Sequence, residues 1–239
     1  MGKSKARPNY SYKALTRGQE ELLHAIDKNI ITFVTGPAGT GKSLLSVARG
    51  LDYLFKKVDG FKVKRIILMR PAVECAGERL GSLPGDLEEK IAPYIFPLYD
   101  NLCQLIPKAT VDELMQEDKI HILPLAFMRG VTFRRAFVVV DEAQNCRVSQ
   151  MKCILTRMDE HSKIVVTGDL KQSDIHGDNG LTDAIERLRG IKGIGIVRLG
   201  VEDIVRAGII REIIAAYQLP LPDEKDLQPS SGTHRKVRS

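Results

Sequence analysis

The stretch that decides the fold runs from residue 30 to residue 43 and reads Ile30-Ile31-Thr32-Phe33-Val34-Thr35-Gly36-Pro37-Ala38-Gly39-Thr40-Gly41-Lys42-Ser43. Its first six residues are apolar or β-branched, which predicts a buried strand. A glycine-rich turn follows, and from Lys42 to Phe55 apolar residues recur at helical spacing. The stretch therefore predicts a strand, a loop and a helix in direct succession.

The loop in this stretch, Gly36-x-x-x-x-Gly41-Lys42-Ser43, fits the phosphate-binding (Walker A) pattern in full. Backbone N–H groups of such a loop surround a phosphate at a helix N-terminus, where the helix dipole favours an anion. We expect ATP to bind here, with Lys42 neutralising the β- and γ-phosphates and Ser43 giving its hydroxyl to Mg²⁺. The alternative is a glycine-rich turn that only connects strand to helix. The expected nucleotide contacts in this loop are Gly36, Pro37, Ala38, Gly39, Thr40, Gly41, Lys42, Ser43 and Leu44.

A second apolar run, Ala136 to Val140, ends in the adjacent carboxylates Asp141 and Glu142. Such pairs are common on protein surfaces, but this one directly follows a buried-type strand in a chain that has a phosphate loop. We expect the strand to deliver Asp141 to Mg²⁺ at the carboxyl edge of the sheet, and Glu142 to polarise the attacking water. ATPases need such a glutamate and small-molecule kinases do not, so the pair favours hydrolysis.

Two glutamines are further candidates. Gln172 follows a third strand, at a place where helicase-like ATPases hold a glutamine that contacts the γ-phosphate or the catalytic water; an ordinary polar turn is the alternative. Gln19 precedes the first strand, where helicases of superfamilies 1 and 2 often hold an adenine-reading glutamine. Its amide is expected to pair with the N6 and N7 edge of adenine, although glutamines near helix starts are frequent.

The remaining pattern predicts an α/β fold with a mainly parallel sheet covered by helices on both faces. A helix capped by Thr16 and running through Ile26 is expected before the first strand, and another from Ser149 to Met158. The range 71–118 is predicted to be an insertion at the carboxyl edge of the sheet, in which glycines and prolines interrupt amphipathic pieces. The other predicted strands are Ile66 to Met69, Ile120 to Leu123, Lys163 to Thr167 and Ile194 to Leu199.

Composition sets outer limits on the protein. The 239 residues are 43% hydrophobic, enough for one sizeable core, and no run approaches the roughly 20 apolar residues of a membrane span. The N-terminus lacks an apolar secretory segment, so a cytoplasmic protein with reduced cysteines and no membrane contact is expected. The formal charge is +6, and residues 1–13 are expected to form a flexible basic arm and 219–239 a disordered tail. Basic ends permit attraction to RNA but are also common solvated termini.

With these motifs in place, the chain from Gln19 to Tyr217 resembles the PhoH-like proteins, an ATPase family related to superfamily 1 helicases. The resemblance implies a RecA-like P-loop NTPase core over residues 14–218, Mg²⁺-ATP as substrate and a role in RNA metabolism. It departs from the family where Ala207 stands in place of a histidine, and the residues before Lys13 are expected to hold no nuclease domain. The stretches that carry the resemblance are Arg70 to Glu74, Leu80 to Asp86, Pro93-Tyr94, Pro97 to Asp100, Pro124 to Gly130, Asp141 to Asn145, Thr167 to Asp169 and Glu202 to Arg206.

Superfamily 1 helicases complete the ATP site with arginines from a second RecA-like domain, for which this chain is too short. We therefore expect a homo-oligomeric ring in which a neighbour supplies the arginine, and the resemblance implies that this ring is a hexamer. Arg129 and Arg206 are the first candidates and Arg134 and Arg135 the others, although each could be an ordinary surface arginine.

Three functions fit these motifs. The first is a ring-forming ATPase that remodels or translocates on single-stranded RNA, with the segment Arg70 to Glu74 lining the RNA path. Arg79, Lys90, Tyr94 and Tyr99 are candidate contacts of that path, or else residues of a packed insertion. The second is a slow ATP-gated switch or scaffold that acts through a protein partner. The third, a small-molecule phosphotransferase, is disfavoured by Asp141 and Glu142.

Overall fold

The computed structural model describes residues 8–58, 60–71, 87–128, 130–173 and 179–205, and also 208, 209, 212, 213 and 216; for residues 87–91 it describes the backbone alone. The chain divides into two compact units, Met1–Val205 and Arg206–Ser239. The first unit contains the sheet and the helices named below. In the second unit, residues 208, 209, 212, 213 and 216 are helical. The predicted tail, 219–239, lies outside the described residues.

The centre of the first unit is a six-stranded sheet in the order β3-β2-β4-β5-β1-β6, in which every neighbouring pair is parallel. Each strand agrees with its predicted run to within one residue at either end. The predicted α/β fold with a parallel sheet is thereby confirmed. The strands are β1 (Ile31–Thr35), β2 (Arg65–Arg70), β3 (Ile120–Pro124), β4 (Ala136–Val140), β5 (Lys163–Gly168) and β6 (Ile194–Arg198).

Helices cover both faces of this sheet. α2 has the predicted bounds, and α1 begins after Thr16, whose hydroxyl accepts the N-capping hydrogen bond from Gln19 N. α5 ends at Leu155 rather than at Met158 as predicted, because Arg157 and Asp159 hydrogen-bond the main chain of Phe133 instead of continuing the helix. The helices are α1 (Arg17–Lys28), α2 (Lys42–Phe55), α3 (Leu87–Leu105), α4 (Lys108–Gln116), α5 (Val148–Leu155) and α6 (Gly180–Leu188).

Successive residues of the central strands point to opposite faces, so the unit has two apolar cores. In β4, Phe137 and Val139 pack with side chains of α1 to α4, whereas Val138 and Val140 pack with side chains of α5 and α6. All residues of β4 are buried. Burial on both faces explains why the strand sequence is continuously apolar rather than alternating.

The range 71–118 differs from its prediction in two ways. Pro93 and Pro97 lie inside α3, so they do not interrupt the helix. An interior proline costs a helix about 3 kcal/mol, and here Leu98 and Leu102, both fully buried, supply the compensating packing. α3 and α4 contact β3 and contribute to the core on one face of the sheet, rather than packing at its carboxyl edge. Residues 72–86 lie outside the described residues.

The described part of the expected basic arm is packed against α2. The hydroxyl groups of Tyr10 and Tyr12 both donate to the carboxylate of Asp52, which ties this part of the chain to the helix. The expectation of a flexible arm through Lys13 is therefore wrong for Tyr10 and Tyr12; residues 1–7 lie outside the described residues. None of the helices in the described part of the chain is both long enough and apolar enough to cross a membrane.

Candidate functional site

The site lies at the carboxyl edge of the sheet, where the loop Gly36 to Gly41 joins β1 to α2. From β1 the chain crosses to β2, which is separated from β1 by β4 and β5, while β6 flanks β1 on its other side. The strand order thus runs to one side of β1 in the first crossover and to its other side at β6. Where the strand order changes direction in this way, a crevice opens at the carboxyl ends of the strands, the usual place for a ligand in parallel α/β sheets. Gly36 N donates to Gly168 O at 3.2 Å, which ties the loop to the end of β5.

The loop has the backbone conformation that its glycines allow. Gly39 and Gly41 have φ angles of 83° and 79°, in the left-handed region that side-chain-bearing residues rarely adopt. Gly41 is the N-cap of α2, so the loop ends where the first amide groups of that helix point out. A helix start of this kind favours a phosphate group.

Lys42 turns back over the loop. Its Nζ donates to Gly36 O at 2.6 Å and to Pro37 O at 2.8 Å, so the ammonium is held where it faces the concave side of the loop. Burial lowers the pKa of Lys42, while the carboxylates of Asp169, Glu142 and Asp141 act in the opposite direction. An ammonium held by loop carbonyls, with three acids within electrostatic range, fits a group that exchanges its carbonyl partners for phosphate oxygens.

Asp141 joins the phosphate loop to two neighbouring strands. Its Oδ1 accepts hydrogen bonds from Ser43 Oγ at 2.5 Å and from Thr167 Oγ1 at 2.6 Å, and the residue is only 5% exposed. The structure thus brings together the two residues expected to bind Mg²⁺. Hydroxyl and carboxylate oxygens are the ligands that Mg²⁺ prefers, and Mg²⁺ usually takes only one or two carboxylates together with substrate phosphates.

Glu142 adopts a left-handed backbone conformation, with φ 53° and ψ 40°. Such a conformation is costly for a residue other than glycine and is often found at functional sites. The carboxylate of Glu142 lies between two partners: the guanidinium of Arg70 is 3.6 Å from Oε1, and Gln144 Nε2 donates to Oε2. The position directly after the magnesium candidate suits a group that accepts a proton from water.

Two residues that contact the candidate site residues were not predicted from the sequence. Thr167 donates to Asp141, and Gln144 donates to Glu142 while accepting from the main chain of Asp169. Both depend on the ends of β4 and β5 lying side by side. The sequence signals were their positions, since Gln144 follows two residues after Glu142 and Thr167 ends a predicted strand, and both lie in stretches that carry the family resemblance.

The predicted glutamines are placed differently from one another. Gln19 is 3% exposed, and its amide is engaged by the main chain: Nε2 donates to Thr40 O at 3.0 Å and Oε1 accepts from Leu15 N at 2.7 Å. In this arrangement Gln19 holds the phosphate loop instead of presenting an adenine-reading edge. Gln172 is exposed in the turn after β5, where its main-chain N donates to Asp169 O. Its role as a sensor stays a prediction.

Of the arginine candidates, only Arg134 and Arg135 lie within the described residues, and neither is at the site of its own chain. Arg129 and Arg206 lie outside the described residues. Arg134 and Arg135 are exposed and immediately precede β4, at the amino edge of the sheet, whereas Asp141 follows β4 at the carboxyl edge. A strand of this length separates the two edges by roughly 17 Å, so neither arginine reaches the site of its own chain.

The candidate RNA contacts are also dispersed. Arg70 faces Glu142, and Tyr99 Oη donates to Asp112 Oδ1 at 2.6 Å within the α3–α4 pair. Tyr94 is half-buried. The side chains of Arg79 and Lys90 lie outside the described residues. Arg70 thus lies beside an acid of the site, whereas the hydroxyl of Tyr99 is engaged within the α3–α4 pair.

Comparison with known proteins gives a consistent result. A family model described as PhoH-like protein matches residues 11–218. The PhoH-like protein of Mycobacterium bovis is 44% identical over 235 residues, which cover 98% of this chain and 64% of the relative. The PhoH-like protein of Bacillus subtilis is 45% identical over 209 residues, covering 87% and 64%, and Protein PhoH of Escherichia coli K12 is 41% identical over 209 residues, covering 85% and 58%. The chain therefore spans slightly less than two thirds of the length of these relatives.

Solved helicase structures are similar at a lower level. The Hef helicase domain of Pyrococcus furiosus aligns with a TM-score of 0.47 and 13% identity, over 75% of this chain and 37% of that one. Pif1 of a Bacteroides species, in complex with ADP-AlF4, aligns with a TM-score of 0.38 and 20% identity, over 88% and 48%.

Proposed function

The chain belongs to the PhoH-like protein family, and from this premise we propose that it is a Mg²⁺-dependent ATPase that acts on RNA as a ring-forming motor. The observation that carries the ATPase part is the hydrogen bond from Ser43 Oγ to Asp141 Oδ1. It brings the end of the phosphate loop against an acid at the tip of β4. This is the arrangement that a nucleotide with its metal ion requires.

Each residue of the site has a distinct task in this proposal. Lys42 exchanges its bonds to Gly36 O and Pro37 O for phosphate oxygens. Ser43 and Asp141 would hold Mg²⁺, which when bound neutralises charge on the β- and γ-phosphates. Asp141 is oriented by Thr167, whose side chain is fully buried.

Glu142 is the proposed general base. It accepts a proton from a water molecule as the water oxygen bonds to the γ-phosphorus and the bond from that phosphorus to the bridging oxygen of ADP breaks. Arg70 and Gln144 hold the carboxylate from two sides, so its direction is set before the nucleotide arrives. A base held in this way contributes about 10²- to 10⁴-fold to a rate.

The ring is proposed because negative charge develops on the γ-phosphate during hydrolysis. Lys42 is the one cationic side chain in the phosphate loop, Gly36 to Ser43, that can neutralise this charge. An added arginine contributes about 10³- to 10⁵-fold in related phosphoryl transfer. We propose that Arg206 or Arg129 of a neighbouring subunit supplies it in a hexamer. RNA as the substrate rests on the sequence resemblance, and the cytoplasm as the location rests on the composition and the N-terminal sequence; both stay predictions.

The ATPase and RNA parts are tested together by measuring turnover. Purified chain with ATP should release phosphate only when Mg²⁺ is present, and single-stranded RNA should raise the rate. The RNA arm needs several salt concentrations, because non-specific attraction of a basic chain to a polyanion falls steeply with salt. Equal turnover with and without RNA would refute the RNA motor and favour the ATP-gated switch.

The ring is tested by mass measurement with and without Mg²⁺-ATP, followed by subunit mixing. Arg206→Ala and Lys42→Ala subunits should each be inactive alone, and mixing them should restore part of the activity, because an intact arginine then meets an intact phosphate loop. The same mixing with Arg129→Ala distinguishes the two candidates. A mixture without activity for either arginine would exclude both as residues that act across the interface.

A further inference from the structure

The amide of Gln144 lies beside Glu142, the proposed general base of the site. Gln144 lies in the short 3₁₀ turn Ala143–Asn145 that follows Glu142, and it is 2% exposed. Glutamine side chains are mostly exposed in proteins, and a buried one needs partners for both ends of its amide. Here both ends have partners, Glu142 and Asp169, which lie just beyond the ends of β4 and β5.

The orientation of this amide follows from its partners. The main-chain N–H of Asp169 can only donate, and it lies 3.0 Å from Gln144 Oε1, so that atom is the acceptor. Nε2 is then the end that faces Glu142, and it donates to Oε2 of that carboxylate. A reversed amide would lose both bonds.

The surroundings leave little freedom for the side chain. A Cβ atom placed on Gly168 would lie 2.8 Å from Gln144 Oε1 and 2.5 Å from Leu181 Cδ2, so the absence of a side chain at Gly168 makes room for the amide. The hydroxyl of Ser173 also donates to the main-chain O of Gln144 at 3.2 Å. Residue 144 therefore holds the turn 169–173 at both of its ends.

Two residues of this turn are related to the proposed nucleotide site, one by prediction and one by its charge. Gln172 is the sensor candidate, and the carboxylate of Asp169 is among the acids that act on Lys42. Gln172 itself is exposed, whereas Gln144 is buried and contacts Glu142 directly. The route from the turn to the general base therefore passes through Gln144.

We propose that Gln144 is a positioning residue, which sets the direction of the Glu142 carboxylate and couples it to the turn 169–173. The inference rests on the proposed ATPase function. A movement of the turn changes the distance between Asp169 N and Gln144 Oε1, and the same amide then shifts its bond to Glu142. Hydrolysis and the conformation of the turn are linked through one side chain.

The test compares two replacements in the full chain. Gln144→Met keeps the length and most of the volume but removes both hydrogen bonds, and it should lower kcat about tenfold or more because a displaced base loses part of its contribution. KM for ATP and the dissociation constant of a non-hydrolysable ATP analogue should change less than about twofold, since the phosphate loop is untouched. Gln144→Asn, which keeps the amide on a shorter stem, should recover part of kcat.

The matched control is Gln104→Met. Gln104 is an exposed glutamine on α3 that also donates to a carboxylate, Asp100 Oδ2, at 2.7 Å, and its replacement should leave kcat unchanged. If the wild-type chain hydrolyses ATP and Gln144→Met has the same kcat, the positioning role is overturned and the proposed ATPase function stands. Loss of analogue binding in both Gln144 variants would also overturn it, because the residue would then support the fold. A wild-type chain without ATP turnover would overturn the proposed function and this inference together.

Discussion

Two buried carboxylates of the first unit, Asp52 and Asp141, invite comparison. They are 4% and 5% exposed, and each accepts hydrogen bonds from two hydroxyl groups. Asp52 also pairs with two cations, Arg49 at 2.9 Å and Lys56 at 2.7 Å. No described lysine or arginine forms an ion pair with Asp141.

We call the network around Asp52 closed, because cations of the chain pair with its carboxylate, and the network around Asp141 open, because none of the described cations does. Removing a carboxylate from water costs several kcal/mol unless a cation and hydrogen bonds replace the water. Around Asp52 the chain supplies both, and the result ties residues 10–12 to α2. Around Asp141 the chain supplies hydroxyl groups, which orient the acid and leave its charge available to a metal ion. We expect the first network to serve stability and the second to serve binding, although each is centred on a buried aspartate that accepts hydrogen bonds from two hydroxyl groups.

The largest effect that this comparison predicts is on turnover. Asp141→Asn removes the negative charge expected to hold Mg²⁺ but keeps the shape of the side chain, and it should lower kcat at least about 10²-fold. Phosphate release under saturating ATP and Mg²⁺ measures it. Asp52→Asn is the matched control, since the same change in the closed network should leave kcat within about twofold. If Asp52→Asn lowered kcat as far as Asp141→Asn, the division into two networks would be wrong.

The next effect is on stability, and here we expect Asp52→Asn to have a larger effect than Asp141→Asn. Asp52→Asn removes a charge that two cations and two tyrosines share, and it should lower the free energy of unfolding by about 2 kcal/mol, the size expected for hydrogen bonds to a charged group. Asp141→Asn should lower it by less. Urea unfolding followed by circular dichroism measures both. Asp100→Asn, an exposed acid on α3, controls for the substitution itself. A larger loss in Asp141→Asn than in Asp52→Asn would contradict the comparison.

A third prediction concerns pH. Burial acts to raise the pKa of Asp52, but hydrogen bonds from Lys56, Tyr12 and Tyr10 outweigh it and leave this pKa below its ordinary value. A lowered pKa in the folded state means that the stability is present above the unfolded pKa, about 3.9, and is lost as pH falls through the folded value. The difference in unfolding free energy between wild type and Asp52→Asn should therefore be constant near neutral pH and shrink below about pH 4. A difference that grew on acidification would refute this account.

The sequence predicted the central part of the molecule because local and global preferences agree there. The phosphate loop and α2 follow from pattern alone, and the burial of β4 on both faces explains its continuous apolar run. The prediction was wrong where packing overrides a local preference. Pro93 and Pro97 read as helix breakers, yet the fully buried side chains that follow them on α3 keep the helix intact.

The features of the candidate site likewise divide into those that the sequence could predict and those that depend on packing. Lys42, Ser43 and Asp141 could be recognised because each stands at a fixed offset within a motif. Gln144 lies in the stretch Asp141 to Asn145, but its contact with Asp169 could not be predicted, because only the pairing of β4 with β5 brings the two residues together. Gln19 was recognised for its position, but the role given to it assumed a free amide. The hydrogen bonds to Leu15 and Thr40 engage that amide.

The smallest effect tests whether Gln19, like Asp52, is a buried polar group engaged by the chain itself rather than one that is available to a ligand. Gln19→Met removes the bond to Thr40 O and loosens the phosphate loop, so KM should rise about three- to tenfold, the value of one hydrogen bond. The rise should be the same for ATP and GTP, because a brace on the phosphate loop does not distinguish bases. Steady-state kinetics with both nucleotides measures it, with Gln104→Met as the control. A rise confined to ATP would show that Gln19 reads adenine, and its amide would then have to leave the main-chain partners that it has in this structure.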